Sequence, residues 1–233
     1  MTRIAVIGTG RMGALLAAMV PETGATLVAH LGRGETGSAV TRQSLAGADV
    51  VIEFTVPAEA ARLVRDCAAL GVPVVSGTTG WDDQRAEVEA AVRASDGALL
   101  WAPNFALGVH LFARVAEYTA RLFASPEAKF DAHLVETHHA RKLDAPSGTA
   151  RMLAERATAA RDGGQAIPVT SVRTGSVPGT HEFIFDAPFE QVRLVHETRD
   201  RRVFAAGAIS AARWLAGRRG VFTLDDFLGG LVR

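Results

Sequence analysis

A glycine-rich turn after the first apolar run constrains the fold of this chain more than any other feature. Residues 3–7 form an apolar run that predicts a buried strand, and residues 14–20 have the spacing of a helix. Between them, residues 8–13 read Gly-Thr-Gly-Arg-Met-Gly, the pattern G-x-G-x-x-G. Between a strand and a helix this pattern is typical of dinucleotide binding, because its glycines permit a tight turn, the approach of a pyrophosphate and close helix–strand packing. The alternative is a plain strand–helix turn.

The remainder of the first hundred residues alternates between predicted strands and predicted helices. Such alternation predicts an α/β fold with a parallel sheet and right-handed crossovers. The predicted strands are 25–29, 49–55, 73–76 and 98–101, and the predicted helices are 58–70 and 82–94.

The loops after these strands are expected to line one cleft, because ligands of parallel sheets bind beyond the carboxyl ends of the strands. Residues 77–80, Gly-Thr-Thr-Gly, offer bare backbone to a flat ring such as nicotinamide. We therefore expect a nicotinamide dinucleotide, NADPH or NADH, to contact residues of these loops. The predicted contacts are Gly8, Thr9, Gly10, Arg11, Met12, Gly13, Arg33, Phe54, Thr55, Gly77, Thr78, Thr79, Ala102, Asn104 and Phe105.

The end of the second predicted strand bears on the choice between the two cofactors. Many NAD-binding domains carry an acidic residue there, which holds the ribose 2′-hydroxyl. Here Gly32 and Arg33 follow the strand, and the first acidic residue is Glu35. Arg33 and Arg11 could instead face a 2′-phosphate, which favours NADPH. The alternative is that Arg33 is a solvated loop residue.

The pattern changes in the second half of the chain. Helices are predicted at 107–123 and 149–161, and a strand at 130–136. Three further strands then follow without intervening helices, which predicts a second, mixed or mostly antiparallel sheet. These strands are 169–173, 181–185 and 191–196, and helices at 204–215 and 223–228 end the chain.

The run from Glu136 to Ala150 carries the densest chemistry in the sequence. It packs two adjacent imidazoles and an ammonium into five residues, directly before Pro146 and a predicted helix start. The first N–H groups of a helix lack intrahelical partners and lie at the positive end of its dipole, so they attract anions. The groups that could converge on one carboxylate or phosphate are His139, Lys142 and the N–H groups of Gly148 and Thr149. His138 then remains as a proton donor near neutral pH, with Lys142 as the rival donor; the alternative is a capped helix after a solvated loop.

Composition excludes several classes of function. Lys plus Arg equals Asp plus Glu, at 25 each, so no global basic field favours nucleic acid. No run of 18 apolar residues predicts a membrane span. The one cysteine, Cys67, excludes an internal disulfide framework and suits a reducing cytoplasm. The spacing of His133, His138 and His139 fits no common zinc pattern, so no metal is expected.

The chain resembles the 4-hydroxy-tetrahydrodipicolinate reductase (dihydrodipicolinate reductase) family. The most specific match is E-x-H-H-x-x-K-x-D-x-P-S-G-T-A, met by residues 136–150. Supporting matches are Gly10–Gly13, Phe54-Thr55, residues 76–80, residues 102–105, and Arg173 with Gly175, Gly179 and His181.

The resemblance implies a particular architecture and reaction. It implies a Rossmann-type parallel sheet completed by the C-terminal helices (residues 1–105 plus 206–233) and an inserted α+β substrate-binding and oligomerisation domain (residues 106–205) that assembles a homotetramer. It implies NAD(P)H-dependent reduction of a dicarboxylate, 4-hydroxy-tetrahydrodipicolinate, to tetrahydrodipicolinate in diaminopimelate and lysine biosynthesis. It implies that His138 is the acid, assisted by Lys142. The substrate carboxylates would be held by His139, Lys142, Gly148, Thr149 and, as a further contact, Arg201.

The sequence departs from the family pattern at several positions, and two other functions stay open. The glycine loop is one residue shorter than is frequent, Gly32 stands where many members have an acid, and Glu53 replaces the usual Asp before Phe54. The alternatives are a non-catalytic dinucleotide-binding regulatory protein and a reductase of another small imino or amino acid. Neither alternative explains the presence of both His138 and Lys142.

Overall fold

The computed structural model describes residues 1–37, 39–124, 130–161 and 165–230. These residues form two compact units: Met1–Ala106 with Arg202–Arg233, and Leu107–Arg201.

The secondary structure follows the chain in three stretches. The first stretch contains β1 (Arg3–Ile7), α1 (Arg11–Met19), β2 (Thr26–Leu31), α2 (Arg33–Thr36), β3 (Val50–Glu53), α3 (Pro57–Ala69), β4 (Val74–Ser76), α4 (Asp82–Ala94) and β5 (Ala98–Trp101). The second contains α5 (Leu107–Leu122), β6 (Asp131–His138), α6 (Gly148–Ala159), β7 (Val169–Arg173), β8 (Thr180–Ala187) and β9 (Glu190–Glu197). The third contains α7 (Arg202–Leu215), β10 (Gly220–Phe222) and α8 (Leu224–Gly229).

The first unit contains a six-stranded parallel sheet, which confirms the predicted α/β fold. The strand order is β10-β5-β4-β3-β1-β2, and every neighbouring pair is parallel. The central strands β1 and β3 are buried along almost their whole length, as expected of a parallel sheet covered by helices on both faces. The sequence did not predict β10, because three residues are too few to show a period.

The glycine turn between β1 and α1 is fixed by close backbone contacts. Gly8 has φ +122°, and a Cβ on it would lie 2.0 Å from the Phe54 carbonyl oxygen. A Cβ on Gly13 would lie 1.7 Å from the Gly8 carbonyl oxygen. Both positions therefore require glycine, for the turn and for the packing of α1 on β1 respectively.

The second unit contains a mixed four-stranded sheet, as the sequence predicts. The order is β7-β6-β8-β9, with β7 parallel to β6 and the other two pairs antiparallel. Alternate residues of β6 and β8 point into a core with helices α5 and α6, which includes Leu134, Phe183 and Phe185. The opposite face of the sheet is only partly covered: Val195 is 56% exposed.

The boundaries of the units differ slightly from the ranges implied by the family resemblance. Ala106 lies in the first unit, and so do residues 202–205, because α7 begins at Arg202 rather than at 204. Strand β2 runs on to Leu31, beyond the predicted end at residue 29, and Arg33 begins a short helix instead of a loop. Among the helices of the described residues, none is long and apolar enough to cross a membrane.

We expect Gly13→Ala to destabilise the protein by about 2 kcal/mol, because the added methyl collides with the Gly8 backbone. Helix propensity alone would instead predict stabilisation by about 1 kcal/mol. Urea unfolding followed by circular dichroism measures the difference. The control is Gly229→Ala, since no described heavy atom lies within 4 Å of the Cβ position of Gly229. A stabilised Gly13→Ala variant would contradict the close packing of α1 on the turn.

Candidate active site

A cavity of about 390 Å³ opens at the carboxyl ends of β1, β2 and β3. It brings together six of the predicted cofactor contacts: Gly8, Thr9, Gly10, Arg33, Phe54 and Thr55. Seven further residues complete the lining and were not among the predicted contacts, namely Ile7, Leu31, Gly32, Thr36, Val56, Glu59 and Leu63. Leu63 lies within α3 and the other six lie in or near the loops after β1, β2 and β3, and only the strand order shows that they share one cavity.

The glycine turn fits a bound pyrophosphate. Gly10 is exposed, precedes α1, and has no described heavy atom within 4 Å of its Cβ position. No side chain caps α1 at this end, so the N–H groups of its first turn remain available to an anion. Arg11 is exposed and Met12 half-buried in that turn, while Gly13 is buried against Gly8.

A buried carboxylate holds two of the loops beside the cavity. Glu53 is fully buried and accepts hydrogen bonds from the Ser76 hydroxyl at 2.6 Å, the Thr78 hydroxyl at 2.6 Å and the Thr55 N–H at 2.8 Å. The Thr55 hydroxyl donates to the same carboxylate at 2.5 Å. The side chains of Thr55 and Thr78 are therefore engaged in holding the loops after β3 and β4. The backbone of these loops is held as well, since the Gly77 N–H donates to the Glu53 carbonyl oxygen at 2.9 Å and the Thr78 carbonyl oxygen accepts from the indole N–H groups of Trp81 and Trp101 at 2.8 and 2.9 Å.

Phe54 organises the remaining predicted cofactor residues. A Cβ on Gly77 would lie 2.1 Å from the Phe54 ring, so the flat ring that faces this bare glycine is the protein's own. Phe105 is buried and its ring centroid lies 6.1 Å from that of Phe54. Ala102 is buried, Thr79 is exposed, and the Asn104 Oδ1 accepts from the Ala106 N–H at 2.8 Å.

In the second unit, the Glu136 carboxylate joins His138 to Arg173. Glu136 is fully buried; one of its oxygens is hydrogen-bonded to His138 Nδ1, and the other accepts from Arg173 Nη2 at 2.6 Å. Arg173 Nη2 also donates to the Asp144 carbonyl oxygen at 2.6 Å. The Ser147 N–H, just before α6, completes the shell of Glu136 at 3.3 Å.

These contacts set the ionisation of the pair. Burial opposes the charge on Glu136, but Arg173, Ser171 and His138 together lower the pKa of its carboxyl to about 2. Burial lowers the pKa of His138 below its ordinary value, although the Glu136 carboxylate acts in the opposite direction. Glu136 is therefore charged at neutral pH, and the pKa of His138 is below the ordinary value of a histidine.

Two further histidines, His181 and His196, continue this site, and the sequence predicted a role in it for neither of them. His181 lies opposite Glu136 on β8, and its ring meets that of His138 edge-on with centroids 5.3 Å apart. His181 is 3% exposed, and neither ring nitrogen has a hydrogen-bond partner among the described residues. The ring of His196 follows at 6.5 Å. Only the pairing of β6, β8 and β9 brings these rings together.

The predicted anion-binding groups already hold a carboxylate of the chain itself. Lys142 Nζ contacts Asp144 Oδ1 at 2.7 Å. The same contact, together with the Gly148 N–H, lowers the pKa of Asp144 below its ordinary value. His139 lies beside them half-buried, and its Nδ1 has no partner in the described part of the chain.

Of the two remaining predicted substrate contacts, Thr149 adjoins this cluster and Arg201 has no described contact with it. Thr149 is half-buried in the first turn of α6, next to Gly148. Arg201 is exposed at the last position of the second unit, and no hydrogen bond or ion pair between described residues joins it to the cluster.

A metal ion finds three groups of suitable type here. The ligand atoms of Glu136, His138 and His181 lie within 4.8 Å of one another. However, Glu136 shares its charge with the Arg173 guanidinium at 2.6 Å, and that fixed cation would repel a second one. The expectation that this protein holds no metal stays a prediction.

Comparison with known proteins agrees with the geometry. The family models described as "Dihydrodipicolinate reductase, N-terminus" and "Dihydrodipicolinate reductase, C-terminus" match residues 2–105 and 108–228. The 4-hydroxy-tetrahydrodipicolinate reductase of Acidiphilium cryptum (strain JF-5) is 42% identical, over 97% of this chain and 97% of that relative. The enzyme of the same name from Alkalilimnicola ehrlichii (strain ATCC BAA-1101 / DSM 17681 / MLHE-1) is 35% identical, over 98% and 99%.

A solved structure shows the same fold. It is a dipicolinate-bound dihydrodipicolinate reductase from Paenisporosarcina sp. TG-14, with a TM-score of 0.79 and 23% identity, covering 96% of this chain and 97% of that chain.

Two features of this protein are typical of oxidoreductases that use a nicotinamide dinucleotide. One is a parallel sheet with a cavity at a glycine turn, and the other is a second sheet that carries a cluster of imidazole, carboxylate and ammonium groups. Within that class, the matched family models and the 42% identity are decisive. The chain belongs to the dihydrodipicolinate reductase family.

We expect His181 to make the folded state less stable in mild acid. Burial lowers its pKa to about 4, with His138 acting in the same direction, whereas an unfolded histidine titrates near 6.5. The unfolded state therefore binds more protons between these values, and stability falls by about 3 kcal/mol as pH drops from 7 to 4. Urea unfolding over this range should show a shallower pH dependence for His181→Leu than for wild type.

The matched control for this experiment is His133→Gln. His133 lies on β6, is half-buried, and contacts the Thr170 hydroxyl at 2.8 Å. Its replacement should leave the pH dependence of unfolding unchanged. Equal slopes for His181→Leu and wild type would mean that His181 is not held neutral in the folded protein.

Proposed function

We propose that this protein catalyses the NAD(P)H-dependent reduction of 4-hydroxy-tetrahydrodipicolinate (dihydrodipicolinate) to tetrahydrodipicolinate in diaminopimelate and lysine biosynthesis. Its membership of the reductase family supports the reaction. The single observation that carries the site assignment is the ion pair between Lys142 and the Asp144 carboxylate, which adjoins the Glu136–His138 pair because Arg173 Nη2 donates both to Glu136 and to the Asp144 carbonyl oxygen.

Asp144 supports the assignment of the substrate carboxylate site. Its carboxylate is the same chemical group as those of the dicarboxylate substrate. Lys142, one of the five residues predicted to bind that substrate, contacts it at 2.7 Å, and the Gly148 N–H helps to lower its pKa. A substrate carboxylate that takes its place gains a charge-assisted hydrogen bond from Lys142 and one from the N–H at the start of α6. His139 and Thr149 adjoin these two groups and complete the proposed site, while Arg201 is proposed as a further contact on the family resemblance alone.

His138 is the proposed general acid. The bound dinucleotide supplies the hydride. Hydride addition leaves an electron pair on the substrate, and a proton must be added to it to complete the reduction. Glu136 holds His138 Nδ1, which leaves Nε2 as the edge that can deliver the proton. A Cβ on Gly179 would lie 3.0 Å from that Nε2, so the absence of a side chain there keeps Nε2 uncovered. Lys142 stabilises the developing charge and is the second proton donor.

The two units take separate roles in this proposal. The first binds the dinucleotide through the glycine turn and the loops that end in Phe54-Thr55, Gly77–Thr79 and Ala102–Phe105. The second binds the substrate and assembles the homotetramer implied by the family resemblance. The partly covered face of its sheet supports such an assembly, since Val172 and Val195 are 37% and 56% exposed there.

A cytoplasmic location is part of the same proposal. Burial raises the pKa of the Cys67 thiol to about 12, so this free cysteine is an inert core group, as suits a reducing compartment.

The test is a coupled assay in which the preceding synthase generates the substrate from pyruvate and aspartate semialdehyde. Oxidation of NADPH or NADH, followed at 340 nm, should depend on the synthase. A sample that binds a dinucleotide but shows no such oxidation would favour the regulatory alternative. Oxidation of NADPH or NADH in the presence of another cyclic imine, but not in the presence of the synthase product, would favour a reductase of a different substrate.

Within that assay, we expect His138→Gln to lower kcat at least a hundredfold with little change in KM, because general acid catalysis contributes about 10²–10⁴-fold. The matched control is His133→Gln, which removes a half-buried histidine of the same strand that contacts Thr170. Full activity of His138→Gln would remove His138 from the mechanism.

We expect Asp144→Asn to bind dipicolinate more tightly, by about threefold, as measured by calorimetry. The added dicarboxylate would no longer compete with the Asp144 carboxylate for Lys142, and a partly exposed ion pair contributes up to about 1 kcal/mol. Asp131→Asn, an exposed aspartate at the start of β6, is the control. Weaker binding to Asp144→Asn would instead mean that Asp144 orients Lys142 for the substrate.

A further inference from the structure

The end of β2 carries an acid that the sequence order conceals. Gly32 follows this strand directly and brings no side chain. Three residues later, the Glu35 side chain folds back, and its Oε2 accepts a hydrogen bond from the Gly32 N–H at 2.9 Å. A carboxylate therefore lies at the end of β2 although residue 32 is a glycine.

The position of this carboxylate relative to the glycine turn is the decisive measurement. A Cβ built on Gly32 would lie 3.3 Å from Glu35 Oε2, about as far as a carboxylate oxygen on a glutamate at position 32 lies from its own Cβ. The same point is 3.4 Å from the Thr9 hydroxyl, which belongs to the glycine turn. Gly32 and Thr9 both line the cavity, so Glu35 brings a carboxylate oxygen to its rim although Glu35 is not itself a lining residue.

The competing cation, Arg33, is engaged differently. Its side chain is exposed at the cavity that Glu59 also lines. The pKa of Glu59 is lowered mainly by its contact with Arg62, with a further contribution from Arg33. The charge of Arg33 therefore already faces a carboxylate, whereas Glu35 has a backbone N–H as its hydrogen-bond partner.

We propose that Glu35 is the residue that selects the cofactor: its carboxylate accepts a hydrogen bond from the adenosine ribose 2′-hydroxyl and repels a 2′-phosphate, so that the protein prefers NADH to NADPH. The inference rests on the proposed function, because it needs a dinucleotide in the cavity beside the glycine turn. It reverses the preference for NADPH that Gly32 and Arg33 suggest in the sequence. The reason is that the acid is supplied three residues later than the usual position.

Calorimetric titration of the whole protein with NADH and with NADPH, without substrate, tests the proposal. Wild type should bind NADH more tightly. Glu35→Gln keeps the size of the side chain and removes its charge, and it should raise the Kd for NADH about tenfold, since a hydrogen bond to a charged group is lost. The Kd for NADPH should stay the same or fall. The control is Glu22→Gln, an exposed glutamate of the same unit, which should leave both constants unchanged.

A second variant distinguishes the loss of the Glu35 carboxylate from a change in local folding at this residue. Gly32→Asp combined with Glu35→Gln returns a carboxylate to the end of β2 by another route, and it should restore the preference for NADH. Space for the new side chain exists if the Thr9 methyl moves slightly, since its carbon lies 3.1 Å from the Cβ position.

The outcomes separate this inference from the proposed function. Tighter binding of NADPH by wild type, or an equal effect of Glu35→Gln on both dinucleotides, would overturn the role of Glu35 and leave the reductase assignment standing. Absence of binding for both dinucleotides would overturn both. An altered preference in Glu35→Gln that the double variant reverses would establish Glu35 as the selecting residue.

Discussion

The pairing of the buried Glu136 carboxylate with Arg173 is the interaction on which the candidate active site depends. A carboxylate that is fully removed from water costs several kcal/mol unless it is paired and hydrogen-bonded. Here its partners come from three elements: Arg173 from β7, His138 from β6 and the Ser147 N–H at the start of α6. One charge therefore fixes the orientation of the proposed acid, the strand beside it and the helix that offers its N–H groups to the substrate. In the first unit, neutral donors hold the buried Glu53 carboxylate in a similar way. These donors are the N–H and hydroxyl of Thr55 and the hydroxyls of Ser76 and Thr78.

The parts of the structure that local sequence encodes were predictable. The glycine turn, the alternation of strands and helices, and the run from His138 to Gly148 each lie within a few residues, so spacing alone predicts their form. The mixed sheet of the second unit was predictable as a class for the same reason. Its order, β7-β6-β8-β9, was not, because strand pairing depends on contacts between distant residues.

The parts that depend on strand pairing or on side chains folding back could not be predicted. His181 reaches His138 only because β8 pairs with β6 so that Glu136 faces His181. Arg173 reaches Glu136 from 37 residues away. The ring of Phe54 lies against Gly77, which no local pattern predicts, and the expected contact of this glycine with a flat ligand stays a prediction. Glu35 reaches the end of β2 through the contact between the third residue of a helix and its N-cap, and this contact is evident only once α2 is known to begin at Arg33.

The path of the chain through the two units has a consequence for the synthesis of the protein on the ribosome. The second unit is one continuous segment, Leu107–Arg201, whereas the first is built from Met1–Ala106 and Arg202–Arg233. Strand β10 pairs with β5, and α7 packs on strands β3, β4 and β5. On the ribosome the inserted unit is therefore complete while the nascent dinucleotide-binding sheet still lacks an edge strand and a covering helix. Translation of the last thirty residues closes that sheet, so a nascent chain interrupted after residue 201 would leave apolar strand surface open to aggregation or chaperone capture.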